Sequence, residues 1–498
     1  MKETINRRRM LQTGLMGAVA AGAAAAPQLA AAAEKTADGY KKLTFDLVVI
    51  GSGCAGMTAA IEAADGGAKV ALLEKMPAPF GNTIYAGGHF NATNTFVQKE
   101  NGFTDTIEEF YKDMMTVSQG RGDPELTRIY CEKSAECIQW LTDRCGIKWG
   151  KMVREVWPAT VRGHVVAGPQ KPGGAQLTKQ MLDEVKKHKN ITFMTNTKVV
   201  ELLKTPLLEC TGVRAISKKD GALEIAARAG VVIATGGFHA NKEMICKYMG
   251  GGVAWMPLRG SAYMMGENIT LTQPFFPKYV NMDQFHGGPI HGPSQANPST
   301  MVNYGIIVNK SAQRIIDEEK TYVAIAKELP KITKDNWAFI IIDSQVVDIE
   351  TVATRIARYK KAKAPIYTGE TIEALAKSMD VDPKTLVKTV SAYNEAVKAG
   401  KADELVPPNT LEKPRLLEKG PFMAFPFQGG MTATFGGPKI SPNGEVLNAE
   451  GQPIPGLYAA GNAIGGLFYD DYIVGSQLTA AVIWGRLAAQ HAVKRLKA

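Results

Sequence analysis

The sequence is poor in the residues that staple or metallate a fold. Six cysteines (Cys54, Cys131, Cys137, Cys145, Cys210 and Cys246) are spread over 498 residues, and no two stand as C-x-x-C. Zinc ribbons, thioredoxin-type redox motifs and c-type haem attachment are therefore unsupported. The seven histidines show no metal-ligand spacing, so no metal is expected. Basic residues outnumber acidic ones, 58 to 48, but they are scattered, with only short clusters such as "KKHK" at 186–189. Nucleic acid is thus not an expected partner. There is no internal repeat, and no low-complexity segment beyond the first thirty-odd residues.

Those first residues are not expected to belong to the fold. "NRRRMLQTG" supplies the twin arginines Arg7 and Arg8, an Ala/Gly-rich run follows, and Ala31 to Ala33 offer small residues for cleavage before Glu34. Residues 1–33 are read as a twin-arginine signal peptide. The alternative, a membrane anchor, suits the run poorly because alanine and glycine favour insertion weakly. The expectation is a periplasmic (extracytoplasmic) protein exported already folded around a cofactor, with no integral membrane segment in the mature chain. Export would permit disulfides, whereas folding before export favours buried thiols. The net charge of +10 falls to about +7 once the leader is removed.

The mature chain opens with "FDLVVIGSGCAGMTAAIEAADGGAKVALLEK". An apolar run reads as a buried parallel strand, then Gly51, Gly53 and Gly56 form G-x-G-x-x-G, then a helix, then a second strand ending at Glu74. This is a βαβ unit for a dinucleotide. Gly51 permits the turn, Gly53 admits a pyrophosphate, and Gly56 lets helix and strand pack. The helix N-terminus attracts phosphate, and Glu74 can hold a ribose hydroxyl. A second buried strand is "GVVIATGGF" (230–238), and "PIPGLYAAGNAIGG" (453–466) follows a turn at "SPNGE". The fold class is α/β: a Rossmann-like nucleotide domain split over residues 40–282 and 431–498. An inserted α+β capping domain is expected over 283–430.

In this order the landmarks resemble the FAD-dependent fumarate reductase/succinate dehydrogenase flavoprotein superfamily. Its 3-ketosteroid Δ1-dehydrogenases and tricarballylate dehydrogenases have similar active-site motifs. The residues carrying the likeness are "VVIGSGCAGMTAAIEAA", "LLEK", "GNTIYAGG", "VVIATGGF", "IPGLYAAGN" and, in the cap, "GIIVNKSAQRIIDEE". The resemblance implies non-covalent FAD and redox chemistry at a carbon–carbon bond conjugated to a carbonyl. It places the ADP half at Gly51, Gly53, Ala55, Gly56, Glu74, Lys75 and Val199. Thr83, Ala86, Gly87 and Gly88 fall on the flavin side. Gly236, Gly461 and Asn462 lie beside the cofactor, and Ser476, Gln477 and Leu478 open a last helix facing the flavin O2.

The sequence also departs from that pattern. Where fumarate reductases keep a proton-donating arginine, the match from Arg314 gives Tyr322. Where they keep a carboxylate-clamping arginine, it gives Tyr472, in "GGLFYDDYIVGSQL". A further histidine is replaced by Ala433 or Thr434. A guanidinium clamps a carboxylate permanently and bidentately, whereas a phenol makes one neutral hydrogen bond and can pass a proton, so fumarate or succinate itself is not the expected substrate.

The catalytic candidates are Tyr472, Tyr322, Arg259 and His286. For each a bland alternative stands: a packed phenol, an amphipathic helix start, a structural ion pair and a loop histidine. His291 has the same two readings as His286. Asp470 and Asp471 either polarise Tyr472 or cap its turn, and Met264 and Met265 read as core or flavin-pocket packing. The implied reaction is reduction of an α,β-unsaturated carboxylate or carbonyl compound. Hydride would come from flavin N5 and a proton from tyrosine, with electrons supplied by a separate cytochrome c or similar carrier. The alternatives are the oxidative direction and a non-catalytic flavin electron carrier.

Overall fold

The computed structural model describes residues 39–153 and 160–497, so the leader expected over residues 1–33 lies outside the described residues. Strand β1 (Lys41–Ile50) is buried from Phe45 onward, as its apolar run requires. Helix α1 (Cys54–Asp65) returns the chain to β2 (Val70–Leu73), which pairs parallel to β1 from Leu47↔Val70 to Ile50↔Leu73. Three longer helices follow a short one at Phe96–Glu100: α2 (Ile107–Val117), α3 (Pro124–Cys145) and α4 (Gly173–Lys187). Local chemistry sets the limits of α3. The Asp123 side chain accepts from the amides of Glu125 and Leu126, Pro124 occupies the first turn, and Gly146 closes the helix at φ 62°.

Strands β3 (Ile191–Met194), β4 (Thr197–Lys204), β5 (Cys210–Ser217) and β6 (Gly221–Ile233) follow. Further on, β7 (Phe285–Ile290), β8 (Ile306–Val308), α5 (Tyr322–Ile332), β9 (Ala338–Ile342) and α6 (Glu350–Lys361) begin the inserted unit. It continues with β10 (Tyr367–Gly369), α7 (Ile372–Met379), α8 (Pro383–Lys398) and β11 (Phe422–Thr434). The chain finishes with β12 (Glu445–Leu447), β13 (Pro453–Ala459) and α9 (Ser476–Arg495).

The larger sheet has eight strands, ordered β12-β13-β6-β1-β2-β3, with β5 and then β4 attached to β6. Its central pairs are parallel, and they carry the split nucleotide fold. β6 organises it. One edge takes β1, while the other is shared between β5 (Gly221–Ala226) and β13 (Val231–Ile233). α9 crosses α1 closely at Gly485, where an added Cβ would lie 2.7 Å from the Ala55 carbonyl oxygen.

The smaller, antiparallel sheet runs β7-β11-β9-β8, with β10 also on β11. β9 is apolar throughout and buried on both faces. Ile340 and Ile342 face a core that includes Ile325 and Val352, while Phe339 and Ile341 face Leu375 and Leu386. Each such isoleucine contributes about 1.5–3 kcal/mol on burial. The boundary expected at 430/431 falls inside β11, which pairs with β7 as far as Thr434↔Phe285. The second sheet therefore ends only there. All six cysteines are free thiols and all but Cys246 are buried. No helix among the described residues is long and apolar enough to cross a membrane.

Candidate functional site: a dinucleotide cavity and an adjoining cationic cluster

The carboxyl ends of β1, β6 and β13 converge on a cavity with about 1090 Å³ of empty space. This is where open α/β sheets bind ligands. Two helix N-termini open onto it. Neither α1 nor α9 has a side-chain cap or an acidic residue in its first turn, so their positive ends remain for a ligand. Gly51, at φ 101°, accepts no side chain, because a Cβ would lie 2.5 Å from the Ala234 oxygen. Gly56 is equally constrained, with a Cβ 1.8 Å from the Gly51 oxygen. Gly53 differs. Its Cβ would meet only Thr83 Oγ1, at 3.5 Å, so what it leaves clear is ligand space.

Glu74 is held in place by three donors. Ser52 donates from its amide (3.1 Å) and hydroxyl (2.6 Å), and the Met76 amide donates at 2.9 Å. Thr83 Oγ1 accepts from the Cys54 amide at 3.0 Å, which ties the loop to α1. Lys75 donates to the Tyr263 carbonyl and pairs with Glu267. Three residues lining the cavity each have an enclosed polar atom without a hydrogen-bond partner among the described residues: Gln477 Nε2, His239 Nδ1 and Glu267 Oε2. Orphaned polar atoms around an open cradle fit a polar cofactor.

Of the residues expected to hold the cofactor, Gly51, Gly53, Ala55, Glu74, Lys75, Thr83, Ala86, Val199, Gly236, Gly461, Asn462, Gln477 and Leu478 line this cavity. Four do not. Gly56 packs on the Gly51 turn. Gly87 and Gly88, expected on the flavin side, pack instead against Gly173 at the start of α4; at Gly88 a Cβ would lie 2.7 Å from Gly173. Ser476 is buried, its hydroxyl directed at Met114 Sδ at 3.8 Å. Met264 lines the cavity, but Met265 is 42% exposed and packs in no core. Sequence reasoning missed Ser52, Asn82 and His239. The "GGFHA" run after β6 carried the signal for His239, since it continues the glycine pair into the cavity wall.

A second constellation adjoins the first through a short polar chain. His239 Nε2 lies 3.2 Å from Asn82 Oδ1, and Asn82 Nδ2 donates to the Thr432 carbonyl at 2.9 Å. Arg259 Nη1 donates to Thr432 Oγ1 at 3.0 Å. Thr432 is the extra residue of a β-bulge, where His286 pairs with Ala433 and Gly287 with Met431. A bulge frees a residue from the ladder and re-aims its groups. The Arg259 side chain lies across the paired glycines Gly288 and Gly430. A Cβ at Gly288 would sit 1.4 Å from Nη1, and one at Gly430 2.9 Å from Cδ. The glycines of "HGGP" and "QGGM" thus make room for one guanidinium.

The ring of His286 lies 4.6 Å from that of Tyr472 and 6.4 Å from that of Tyr322. Phe435 and Phe468 close the other sides of Tyr472. Arg259 is near enough to both phenols to be influenced by them. It lies deep in the protein yet keeps part of its surface accessible. Burial pushes its guanidinium below the ordinary range, and the two tyrosines partly offset this. Among the described residues no carboxylate pairs with it, so the ion-pair alternative fails there.

Both ring nitrogens of His286 are enclosed without a partner among the described residues. Burial, then the charges of Arg259, Lys327 and His239, hold it well below the usual histidine range, so it is neutral at pH 7. Burial also brings His239 down to about 3. The two aspartates are engaged elsewhere. Asp471 accepts from the Tyr472 amide (2.8 Å) and the Thr321 hydroxyl (2.7 Å), and Lys327 Nζ pairs with Asp470 at 2.8 Å. Asp471 caps the turn, and burial raises its carboxyl above the usual range. His291 does not join the cluster; it bonds Ser294 Oγ at 2.7 Å and packs on Trp337. No described group of three or more His, Cys, Asp or Glu side chains forms a metal site.

A split Rossmann-like sheet, a glycine-rich dinucleotide cradle and a cluster beside it drawn from both the nucleotide fold and the cap define a flavoprotein oxidoreductase. The chain belongs to the FAD binding domain family, which it matches over residues 46–470, and FAD is its cofactor. It is an FAD-dependent oxidoreductase acting on CH–CH groups.

A fumarate reductase (cytochrome) of Shewanella frigidimarina is 30% identical over 468 residues, covering 91% of this chain and 78% of that one. An NADH:fumarate oxidoreductase of Klebsiella pneumoniae is 30% identical over 94% of this chain, which spans only 50% of its length. Among solved structures, the open conformation of a flavocytochrome c3 fumarate reductase matches with a TM-score of 0.79 at 26% identity. It covers 99% of this chain and 83% of that one. A 3-ketosteroid-Δ4-(5α)-dehydrogenase of Rhodococcus jostii RHA1 matches with a TM-score of 0.73 at 28% identity, over 91% and 97%.

Proposed function

We propose that the chain reduces the C=C bond of an α,β-unsaturated carboxylate. The observation that carries this reading is Arg259: a deep guanidinium over a glycine pair, without a carboxylate partner among the described residues, beside His286 and two phenols. An unpaired cation at such depth is costly unless a ligand anion completes it. A carboxylate does so, whereas a neutral ketosteroid does not, and this favours the enoate. Relatives named as fumarate reductases support the same direction.

Bound FAD supplies the hydride equivalent. Arg259 orients the carboxylate and stabilises the charge that builds on it during reduction. Tyr472 or Tyr322 gives the proton to the α carbon. His286, being neutral, offers one N–H donor and one acceptor nitrogen but no imidazolium proton, and Asp471 fixes the Tyr472 turn rather than acting on the substrate. We further propose that the protein works outside the cytoplasm, exported by the twin-arginine route, with electrons delivered by a separate carrier such as a cytochrome c.

Replacing Tyr472 with Phe is expected to slow reoxidation of the reduced enzyme by substrate about 10²-fold or more, with FAD content unchanged. A rate within twofold of wild type removes Tyr472 from the mechanism. The neutrality of His286 gives a pH test with a definite sign. Its ionisation lies well below the usual value of about 6.5, so kcat/KM should not fall as pH rises from 6 to 7.5. A fall centred near 6.5 would make an imidazolium the acid.

A further inference from the structure

The two phenols of the cluster come from different parts of the chain, and the residues just before them are bonded to each other. Thr321 caps α5 by accepting from the Ala324 amide at 3.1 Å, and its hydroxyl donates to Asp471 Oδ2 at 2.7 Å. Tyr322 follows the first of these residues and Tyr472 the second. A charged bond joins the same two elements further along α5. Lys327 Nζ donates twice to Asp470, to Oδ1 at 2.8 Å and to the backbone oxygen at 2.5 Å.

Both partners are placed for this bond. Lys327 is 9% exposed, and Gly287 leaves room for it, since a Cβ there would lie 3.0 Å from Lys327 Cγ. A buried ammonium is unfavourable without a counter-charge, and Asp470 supplies one. Asp470 has φ 59°, in the left-handed region that favours glycine. Its neighbours hold it there. The Gln284 side chain accepts from its amide at 3.1 Å, and Gln119 Nε2 donates to its Oδ2 at 2.7 Å. A residue kept in such a conformation by several elements marks a place where position matters. Glycine would suit the turn but would remove the carboxylate that Lys327 meets.

We propose that Lys327 is a positioning residue: through Asp470 it fastens the cap helix to the Tyr472 turn and so sets the spacing of Tyr322 and Tyr472 around the substrate. Its charge is spent on the turn, not on the substrate. A phenol gives its proton only within hydrogen-bond reach of the accepting atom, and small displacements are costly in rate. The kinetic part of the test rests on the enoate reading of the site.

The test compares Lys327→Met, Asp470→Gly and the double variant as FAD-loaded proteins. Reduced enzyme is reoxidised with crotonate, fumarate or cinnamate, whichever reacts fastest with wild type. Lys327→Met should lower the limiting rate tenfold or more, with the half-saturating concentration within about twofold of wild type and FAD content unchanged. Asp470→Gly, which keeps the turn, should act alike. The double variant should be within about twofold of the slower single one, because both changes break one bond. In the same proteins, amide hydrogen exchange over residues 322–332 should quicken tenfold or more, with that of β9 unchanged. The proposal is overturned by a limiting rate within twofold of wild type, by rate and half-saturation worsening in parallel, or by losses that multiply in the double variant. Should none of the three enoates react, the enoate reading fails and exchange alone decides: unchanged exchange over 322–332 overturns the fastening, and faster exchange in all three variants upholds it.

Discussion

Arg259→Met is expected to lower kcat/KM for the enoate by about 10²–10³-fold, leaving FAD bound and the fold no less stable. Two effects of opposite sign meet at this residue. A charge-assisted clamp on a carboxylate is worth about 1.5–3 kcal/mol per bond, and each 1.36 kcal/mol is tenfold in rate. Losing a bidentate contact therefore accounts for about two to four decades, and the lower part of that range is expected here. Against this, the protein holds a deep guanidinium whose only side-chain hydrogen-bond partner among the described residues is the Thr432 hydroxyl at 3.0 Å. Removing a poorly compensated charge and substituting an apolar chain of similar reach is often neutral or stabilising by about 1–4 kcal/mol. Activity and thermal stability should thus move apart. Activity assays, bound-flavin absorbance and the melting temperature on one preparation check this. A variant that melts markedly lower would make Arg259 a structural residue.

Gly53→Val is expected to yield a folded protein that purifies with less than about a tenth of the wild-type FAD. Gly53 has φ −70° and ψ −176°, which any residue adopts, and a Cβ there meets only Thr83 Oγ1 at 3.5 Å. The fold therefore tolerates the side chain, but the pyrophosphate does not. Losing two backbone contacts to an anion, at about 1.5–3 kcal/mol each, weakens binding by roughly two decades or more. Gly51→Ala and Gly56→Ala should behave differently and reduce soluble folded protein, because their added carbons meet backbone at 2.5 and 1.8 Å. Circular dichroism with flavin content separates a ligand cradle from a packing glycine. If Gly53→Val retains full FAD, the cradle lies elsewhere.

The nucleotide half was legible because its signals are local. Gly51, Gly53, Gly56 and Glu74 lie within one βαβ unit, and each glycine has a single physical reason at a fixed spacing. Gly87 and Gly88 were less legible. A glycine pair reports close approach but not what approaches, and among the described residues the close neighbour of Gly88 is Gly173 of α4. The substrate side was legible only in part. Tyr322, Tyr472, His286 and Arg259 do come together, but the glycine pair under Arg259 emerges only from the register of β7 against β11. Tyrosines at the two matched positions had argued against fumarate or succinate itself. Arg259 brings cationic charge into the same cluster from another element.

The central claim, reduction of an enoate at this cluster, is tested most directly by reoxidation of the reduced holoenzyme. Protein reduced anaerobically is mixed with mono- and dianionic enoates, neutral enones and ketosteroids, while flavin absorbance is followed and products are identified. The account predicts rapid reoxidation by an enoate, one saturated product per flavin, and loss of that reaction in Arg259→Met. Reoxidation by a neutral enone or ketosteroid alone, or by none of the compounds, would contradict it.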